Sequence, residues 1–347
     1  MDSRVFSIII PFYKTDYEKF CNCINSVSNQ SFQDFECIVV DDGNPPEYAK
    51  YLEVVPSDDK HFRIVHEENK GLSAARNLGI KNSIGDWLLF LDSDDCLTKD
   101  CLKIINDKIG NADLAIFGFV GDRERRGLYI PNQMLRVEDF LGKPSRFNDY
   151  VYLNSACNKV FNTLLLRKEN IEFNESYNSF EDADFCAKYF AQIDRVRMIE
   201  EELYVYVDTE NSMSKGFYPN YCEIEIANAE KTYANFKKYV TDTAERHYLA
   251  FWIYAKFLLV AEHYMNAKEG KRILRSVLKR LRTNPLYNEI YIDFENNDYF
   301  KGKRERVKAG ILWRYFGAKG MYLSLLIAGF TSLIPSDFKE KLFPRKR

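Results

Sequence analysis

The sequence predicts an α/β protein with a mainly parallel sheet, helices on both faces of that sheet, and a smaller helical region after it. Over the first 120 residues, short apolar runs alternate with segments of helical period, which is the pattern of a parallel sheet. Two of the runs end in acidic clusters, Asp41-Asp42 and Asp92-Ser93-Asp94-Asp95. Because ligands bind at the carboxyl ends of such strands, these acids indicate a binding site.

The composition is that of an ordinary globular protein. The chain has 347 residues, 46% of them apolar and 29% charged, and a net charge of −2. It is long enough for one large or two moderate domains, and its charge does not suggest nucleic-acid binding. Its eight cysteines include no Cys-x-x-Cys pair, which favours reduced core thiols over zinc sites or disulfides. With no secretory leader and no apolar stretch of roughly 18 residues, we expect a cytoplasmic protein without a spanning helix.

Each element of the alternating region has its own signal. Asp16 precedes an apolar face at helical spacing, which predicts a capped helix over Tyr17–Ser28. Ser73 and Thr98 are the expected N-caps of helices over 74–81 and 99–109. Apolar runs predict five strands, namely 6–10 (stopped by Pro11), 35–41, 62–65, 87–92 and 113–119.

Beyond residue 120 the alternation weakens. A short strand and turn over 204–214 is expected to close a first domain, 1–215. Residues 216–347 are expected to be helical, with long periodic segments over 248–265 and 271–281.

The C-terminal residues are strongly basic. Residues 301–347 carry 12 Lys and Arg against 3 Asp and Glu, around an apolar segment over 309–334. Basic flanks of this kind favour a helix in the plane of an anionic membrane, which makes the protein peripheral on the inner face of the cell membrane. A helix buried against the first domain is the alternative.

The acidic clusters point to a metal and a nucleotide diphosphate. Asp92 and Asp94 are spaced to share one hard cation that can hold a diphosphate, with a solvated acidic turn as the alternative. Asp41-Asp42 suits hydrogen bonds from a base and ribose, although Asp-Asp-Gly is also a common turn. Pro11-Phe12-Tyr13 stands where a dinucleotide fold has Gly-x-Gly-x-x-Gly, which argues against NAD and FAD. An aromatic ring at this position could pack against a base, with a simple turn aromatic as the alternative.

Two further segments bring charged residues to helix N-termini. Arg76 lies in the first turn of the helix that follows Gly71, where an acid would be preferred. This misfit suggests an anionic partner such as a diphosphate, and the alternative is pairing with an acid. Glu181 and Asp182 begin a helix, where acids are ordinary caps. A carboxylate held in this way also suits a general base for a sugar hydroxyl.

In this order the motifs resemble those of inverting family 2 glycosyltransferases with the GT-A fold, in particular bacterial capsule and exopolysaccharide enzymes. The resemblance spans about residues 5–215 and rests on these segments: Ser7-Ile8-Ile9-Ile10-Pro11-Phe12-Tyr13, Ile38-Val39-Val40-Asp41-Asp42-Gly43, Gly71-Leu72-Ser73-Ala74-Ala75-Arg76-Asn77, Leu91-Asp92-Ser93-Asp94-Asp95, Asn158-Lys159-Val160-Phe161, Phe180-Glu181-Asp182, and Tyr204-Val205-Tyr206 with Ser212-Met213-Ser214. Two positions depart from the family pattern. Phe180 stands where a small residue, often Gly, is usual, and Val207 stands where Arg is frequent.

The resemblance implies a function and a set of residue roles. It implies metal-dependent transfer of a sugar, with inversion, from a UDP-sugar to a hydroxyl of a glycan acceptor that we expect to be lipid-linked. The cofactor would be Mn²⁺ or Mg²⁺, bound by Asp94 with Asp92. Asp182 would be the base, with Glu181 as the second candidate and a sugar contact. The donor nucleotide would be contacted by Pro11, Phe12, Tyr13, Asp41, Asp42, Arg76, Asp92 and Ser93.

Two other functions stay open. A catalytically silent nucleotide-sugar-binding subunit of a glycan-assembly complex would bind the donor and transfer nothing. A nucleotidyltransferase would release pyrophosphate instead of a nucleoside diphosphate, although no Gly-rich, Lys-containing triphosphate loop follows the first strand.

Overall fold

The computed structural model divides the chain into two compact units, Met1–Met213 and Ser214–Arg347. Because residues 208–216 lie outside the described part, the domain limits 1–215 and 216–347 stay a prediction. The residues that the structure describes are 4–121, 131–142, 153–177, 180–207, 217–243, 245–246, 249–250, 253, 260, 263–264 and 268–295.

Within the described part of the first unit, nine strands form one sheet, and the predicted α/β class is confirmed. The order along the sheet is β3-β2-β1-β4-β8-β6-β9-β5, with β7 pairing beside β9. The half that contains β3, β2, β1 and β4 is parallel throughout. In the other half, β6 and β9 are parallel, whereas β5, β7 and β8 run antiparallel to their neighbours. The strands are β1 (Arg4–Phe12), β2 (Phe35–Asp42), β3 (Phe62–Glu67), β4 (Gly85–Phe90), β5 (Cys96–Leu97), β6 (Leu114–Phe119), β7 (Gln133–Arg136), β8 (Lys159–Asn162) and β9 (Arg195–Val205).

Strand β1 continues through Pro11, where the sequence had predicted the strand to end. Pro11 pairs with Val40 of β2, whereas the pairing of β1 with β4 ends at Ile9 and Phe90. The carbonyl of Ile9 accepts from Leu91 on the β4 side, and the residue two positions on faces the same side. The missing N–H of Pro11 therefore faces the space beyond the end of β4, where no ladder bond is lost.

The helices of the first unit cover the sheet, and the predicted helix after Asp16 is confirmed at its stated bounds. The Asp16 carboxylate accepts from the backbone N–H groups of Glu18 and Lys19. The helices are α1 (Tyr17–Ser28), α2 (Pro46–Ala49), α3 (Leu72–Asn82), α4 (Cys101–Ile109), α5 (Val137–Leu141), α6 (Thr163–Lys168) and α7 (Glu181–Phe190), with a 3-10 turn at Lys50–Val54.

The other two predicted N-caps are wrong. Helix α4 begins at Cys101, because the backbone N–H of Thr98 donates to Leu203 of β9 and ties this residue to the sheet. In α3, Ser73 lies inside the helix and is buried, and Gly71 takes the N-cap position with φ of 94°. Glycine adopts this left-handed conformation without the steric penalty of a side chain.

Helix α3 lies unusually close to the sheet. A Cβ atom on Gly79 would come within 2.3 Å of the Ile9 side chain of β1, so only glycine allows this approach. At the start of the helix, the Asp42 carboxylate accepts from the backbone N–H groups of Lys70 and Gly71 at 2.7 and 3.0 Å. The contact at Gly79 sets the distance between α3 and the sheet, and the bonds to Asp42 set the residue at which α3 begins.

The amino-terminal edge of the sheet is joined by the buried carboxylate of Glu36. It accepts from the Ser7 hydroxyl and the Ile84 backbone N–H, both at 2.5 Å, and from the Arg63 guanidinium at 3.0 and 3.1 Å. One side chain of β2 thereby connects β1, β3 and the segment that enters β4.

In the second unit, the described residues form three long helices, α8 (Tyr221–Lys237), α9 (Lys268–Thr283) and α10 (Pro285–Glu295). The predicted segment 271–281 lies within α9, while most of 248–265 and all of 301–347 lie outside the described residues. The predicted strand and turn over 204–214 begins in the long strand β9, which runs from Arg195 to Val205, and residues 208–214 lie outside the described part. No helix in the described ranges has the length and apolar character needed to cross a bilayer.

Replacing Glu36 with alanine should lower the free energy of unfolding by about 2–3 kcal/mol, because Ser7 and Ile84 lose their acceptor at a largely buried position. Urea unfolding of Glu36→Ala measures this. The matched control is Glu138→Ala, whose carboxylate is half exposed and pairs with an exposed arginine, and it should change stability by less than about 1 kcal/mol. Equal effects of the two substitutions would contradict the role given to Glu36.

Candidate active site

The centre of the site is Arg76, a buried arginine shared by three carboxylates. Its side chain is 2% exposed. Its Nη1 atom donates to Asp182 Oδ1 at 2.6 Å and to Glu181 Oε1 at 3.4 Å, and its Nη2 atom donates to Asp92 Oδ1 at 2.8 Å. Residues from α3, the loop after β4 and the first turn of α7 therefore meet at one guanidinium, which we call the Arg76 clamp.

The charge of Arg76 is maintained by its neighbours. Burial alone would lower its pKa, but the negative charges of Asp182 and Asp92, with a smaller contribution from Glu181, raise the pKa above its ordinary value. The guanidinium also lies 5.2 Å from the ring centre of Phe173 and 5.9 Å from that of Phe90, where the aromatic faces favour a cation. Arg76 is a permanent cation at this position.

The prediction that Arg76 grips a diphosphate does not fit this geometry. Its two Nη atoms already donate to carboxylates, and its side chain is almost completely removed from solvent. The alternative considered for Arg76, pairing with an acid, is what the structure has. Arg76 is the fifth residue of α3, just beyond the first turn, and Asp92 and Asp182 compensate its charge near the start of the helix.

Asp182 and Glu181 differ in how they are held. Asp182 Oδ2 accepts from the backbone N–H of Ala156 at 2.9 Å, so both of its oxygens have a defined donor. Its side chain is 23% exposed, against 13% for Glu181. Burial and the adjacent charge of Asp182 raise the pKa of Glu181. Asp182 is therefore the better oriented and more accessible of the two carboxylates.

The residue before this pair has a constrained backbone. Phe180 has φ of 61°, in the left-handed region that non-glycine residues seldom adopt. The family pattern, in which a small residue or Gly often occupies this position, matches that conformation. Phe180 therefore differs from the family pattern in its side chain but keeps a backbone conformation that suits glycine. Its large side chain stands next to Glu181 and Asp182 in the sequence.

The loop after β4 brings Asp92, Ser93 and Asp94 to the same edge. Asp92 Oδ2 lies 3.4 Å from the Cys157 thiol, and the Ser93 hydroxyl lies 2.5 Å from that of Thr15, in the loop after β1. Burial, followed by the charge of Asp92, raises the pKa of Asp94. Throughout the ranges described, no group of three His, Cys, Asp or Glu side chains is arranged to hold a metal.

Sequence reasoning missed the role of Asp95 and Tyr204. The Tyr204 hydroxyl donates to Asp95 Oδ2 at 2.7 Å and accepts from the backbone N–H of Asp92 at 3.2 Å. Asp95 Oδ1 accepts from the backbone N–H of Val207 at 2.8 Å, and burial, with the charge of Asp92, raises the pKa of Asp95 to about 7. These bonds attach the acidic loop to the end of β9. The sequence features that could have indicated this contact are Asp95, the last residue of the acidic cluster, and Tyr204, the first tyrosine of the Tyr-x-Tyr strand.

At the end of β1, the two aromatic residues have opposite surroundings. Phe12 is fully buried and stacks on Phe20 of α1, with ring centres 4.1 Å apart. The Phe12 ring is therefore not available to pack against a base in this structure. Tyr13 is 42% exposed, and this ring is the accessible one. Pro11 is buried within the strand and contributes no free side chain to the site.

At the end of β2, both aspartates bond to other parts of the chain. Asp41 Oδ1 accepts from the backbone and side-chain nitrogens of Asn44, and Asp41 Oδ2 lies 2.9 Å from His66 Nδ1. The carboxylate of Asp42 orders the start of α3. Because both side chains are less than a tenth exposed, their expected contacts with uracil or ribose are not open in this structure.

Hydrogen bonds connect these strand ends into one edge. Asn44 donates to the carbonyl of Phe12 at 2.8 Å and joins the ends of β1 and β2, and the Thr15–Ser93 contact joins β1 to the loop after β4. The structure therefore brings together the acids of β4 and α7, with Tyr13 and the β2 aspartates on the neighbouring strands.

The chain is similar to known glycosyltransferases. Residues 7–171 match the family model "Glycosyl transferase family 2". The chain is 31% identical over 223 residues to an uncharacterized glycosyltransferase, EpsJ, from Bacillus subtilis, covering 60% of this chain and 62% of the relative. It is 30% identical over 191 residues to a teichoic acid poly(glycerol phosphate) polymerase from Staphylococcus epidermidis, covering 54% of this chain and 26% of the relative. The chain thus spans less than two thirds of either relative.

The fold is also found in a solved structure. The crystal structure of S. aureus TarS 1–349 in complex with UDP-GlcNAc superimposes with a TM-score of 0.55, covering 84% of this chain and 91% of that one at 19% identity. The identity is too low to carry more than the fold. Residues 7–171, from β1 to α6, thus match the glycosyl transferase family 2 model, and the fold is the GT-A fold that TarS has.

Proposed function

We propose that this chain is a metal-dependent, inverting glycosyltransferase that moves a sugar from a UDP-sugar to a hydroxyl of a glycan acceptor. The observation that carries the proposal is the Arg76 clamp, which gathers Asp92, Glu181 and Asp182 at the carboxyl edge of the sheet in a family 2 domain. The UDP-GlcNAc complex of TarS, a protein of the same fold, supports UDP as the donor nucleotide.

The acids after β4 fit a divalent cation. Asp94 is partly buried, and its raised pKa reflects burial and the charge of Asp92, which is the environment of a carboxylate that a cation would stabilise. Two carboxylate oxygens suit Mn²⁺ or Mg²⁺, which take the remaining ligands from phosphate oxygens and water. Because Asp92 Oδ1 already bonds to Arg76, Asp94 would be the principal ligand and Asp92 the second. The bound cation would neutralise the departing diphosphate.

The proposed base is Asp182, which accepts the proton as an acceptor hydroxyl attacks the anomeric carbon. The Ala156 N–H holds one carboxylate oxygen and Arg76 holds the other, so the carboxylate has one orientation. Attack from the face opposite the leaving diphosphate is a single displacement that inverts the anomer. Glu181, which is more buried and has a raised pKa, is the second candidate and a contact for the transferred sugar.

Donor-nucleotide recognition would fall mainly on Tyr13 and the backbone near it. Tyr13 is exposed at the strand edge, and Asn44 bonds to the backbone of Phe12 and Lys14 on either side of it. The Tyr13 ring can stack on a base. Asp41 and Asp42 would contribute by shaping the loops around it, and Ser93 by holding the Thr15 loop.

We further propose that the acceptor is a lipid-linked surface-polysaccharide intermediate and that residues 301–347 contact an anionic membrane. The relative that makes a teichoic acid polymer and the basic composition of this segment support both statements. Removing residues 301–347 should release the protein from vesicles that contain anionic lipid.

The donor is tested by calorimetric titration of UDP-, GDP- and dTDP-sugars, each with Mn²⁺ and with a chelator. We expect one UDP-sugar to bind with Mn²⁺, and transfer to release UDP. Release of pyrophosphate would indicate a nucleotidyltransferase, and binding without transfer to any acceptor would indicate a silent binding subunit. No binding of any nucleotide sugar would refute the proposed function.

Asp94→Asn should weaken Mn²⁺-dependent donor binding by on the order of 100-fold, because the principal ligand loses its charge. The same calorimetric titration measures it. The control is Asp107→Asn, an exposed acid of α4 that pairs with Lys103 and should bind the donor as the unmodified protein does. Full metal-dependent binding by Asp94→Asn would remove Asp94 from the proposed metal site.

Asp182→Asn should lower kcat by about 10²–10⁴-fold while donor affinity stays within a few-fold, since the amide cannot take the proton. Steady-state transfer rates and donor titration separate the two quantities. Glu181→Gln is the matched neighbour and should lose less activity than Asp182→Asn. A larger loss of activity in Glu181→Gln than in Asp182→Asn would identify Glu181 as the base.

Arg76→Met should lower the free energy of unfolding by about 3–5 kcal/mol, because three carboxylates lose their shared cation. The loss should be larger at pH 8 than at pH 5. Arg76 lowers the pKa of Glu181, which burial and Asp182 raise, so without the arginine the folded-state pKa of Glu181 rises further. The stability that protonation of Glu181 preserves at low pH is then lost as the pH rises. Urea unfolding at both pH values measures this. Arg136→Met, which breaks an exposed pair, should change stability by less than about 1 kcal/mol at either pH.

A further inference from the structure

Lys159 is a fully buried lysine that the proposed reaction does not use directly. It begins β8, in the middle of the sheet, and its side chain is 0% exposed. Its Nζ atom donates to the carbonyl oxygen of Ser155 at 2.5 Å and to Asn158 Oδ1 at 3.0 Å. A buried ammonium group is rare unless it is paired or bonded, so these two acceptors account for its presence.

One of those acceptors belongs to the peptide group that holds the proposed base. The Ser155 carbonyl and the Ala156 N–H are the two polar ends of the same planar peptide unit. Lys159 bonds to the carbonyl end, and Asp182 Oδ2 accepts from the N–H end at 2.9 Å. Because the unit is rigid, fixing its carbonyl also fixes the direction of its N–H.

Helix α7 contacts this same peptide a second time. The Cys186 thiol, one helical turn after Asp182, lies 3.5 Å from the Ser155 carbonyl oxygen. The Ser155–Ala156 peptide therefore lies between Lys159 of β8 and two residues of α7. An ammonium group on a carbonyl oxygen also polarises the peptide and strengthens its N–H as a donor.

The energetics of burial suggest that Lys159 is kept for more than stability. Burial lowers its pKa, and the nearby Cys186 and Asp182 act in the opposite direction. An apolar residue of similar length would fill the same space without this desolvation. Stability alone does not explain a lysine here, whereas orientation of the base does.

We propose that Lys159 is a positioning residue, whose buried ammonium fixes the Ser155–Ala156 peptide so that its N–H orients the Asp182 carboxylate. This inference rests on the proposed function, in which Asp182 is the base. It assigns a physical task to the Asn-Lys segment at the start of β8.

The first test is independent of activity and uses the full chain. Hydrogen exchange of the backbone amides over 153–158, followed by mass spectrometry, should be about 10-fold faster in Lys159→Met than in the unmodified protein. Lys168→Met is the matched control. Lys168 ends α6, just after β8, and is 70% exposed beside Glu169, so its replacement should leave this exchange unchanged. Unchanged exchange in a folded Lys159→Met would overturn the proposal, whether or not a donor and acceptor pair has been found.

The second test is kinetic. Lys159→Met should lower kcat by about 10–100-fold with the KM for the donor within two- to three-fold, because a displaced base affects the chemical step. The acidic limb of the kcat/KM profile should move to higher pH by about half a unit or more. The charged groups and thiols around Asp182 are Arg76, Asp92, Glu181, Cys157, Lys159 and Cys186, and only Lys159 changes in this variant.

A second variant guards against failure to fold. Lys159→Gln keeps an N–H donor without the charge and should retain more activity than Lys159→Met, with the same direction of pH shift. Rates and pH profiles equal to those of the unmodified protein, in whichever variant folds, would overturn the proposal. If the unmodified protein transfers no sugar while the exchange result holds, the proposed function fails and the link from Lys159 to the Asp182 contact stands.

Discussion

The structure of this site depends on the burial of Arg76. A guanidinium this far from water is unfavourable unless carboxylates surround it, and the carboxylates of Asp92 and Asp182 would repel each other at this edge without it. Each charge is therefore the condition for the others. The charged residues come from α3, the loop after β4 and α7, which are distant in the chain and are held together by the Arg76 side chain. Helix α3 must therefore be placed accurately for Arg76 to reach the carboxylates. The close approach at Gly79 and the capping contact from Asp42 meet that requirement.

The two edges of the sheet use buried acids in different ways. At the amino-terminal edge, both oxygens of Glu36 accept hydrogen bonds from β1, β3 and the segment that enters β4, which is the state of a structural acid. At the carboxyl edge, Asp94 has a pKa raised by burial and by a neighbouring carboxylate. Glu36 and Asp94 carry the same chemical group near the ends of strands. They differ in the hydrogen-bond donors that surround their oxygens. Asp41 and Asp42 resemble Glu36 in that their oxygens accept hydrogen bonds from nearby loops, although burial and the charge of Asp41 also raise the pKa of Asp42. These two acids therefore shape the site, while the acids after β4 are the ones placed to act.

The sequence was sufficient for the parts of this architecture that follow from local pattern. Apolar runs ending in acids predict parallel strands whose ends converge, and Asp16 before an apolar helical face predicts α1 with its cap. Contacts between distant residues were not accessible in this way. The partners of Arg76 lie 16, 105 and 106 positions away, and no spacing rule distinguishes an arginine that faces phosphate from one that faces carboxylates. Phe12 and Tyr13 were likewise indistinguishable until β1 was seen to continue past Pro11, which turns Phe12 toward α1.

The balance of charge explains why this edge suits a cation and a diphosphate together. The groups that meet there are four carboxylates and two buried cations: Asp92, Asp94, Glu181 and Asp182 with Arg76 and Lys159. Arg76 is paired with three of the acids, and Lys159 acts through a peptide group. Asp94 is the acid of these four that neither buried cation contacts, and the positive charge that acts on it is that of Lys19. The raised pKa of Glu181 reduces the excess of negative charge near Asp182 but leaves it around Asp94. An anionic donor alone would be repelled by Asp94, whereas a donor that arrives with a divalent cation brings the compensating charge to the place where it is lacking.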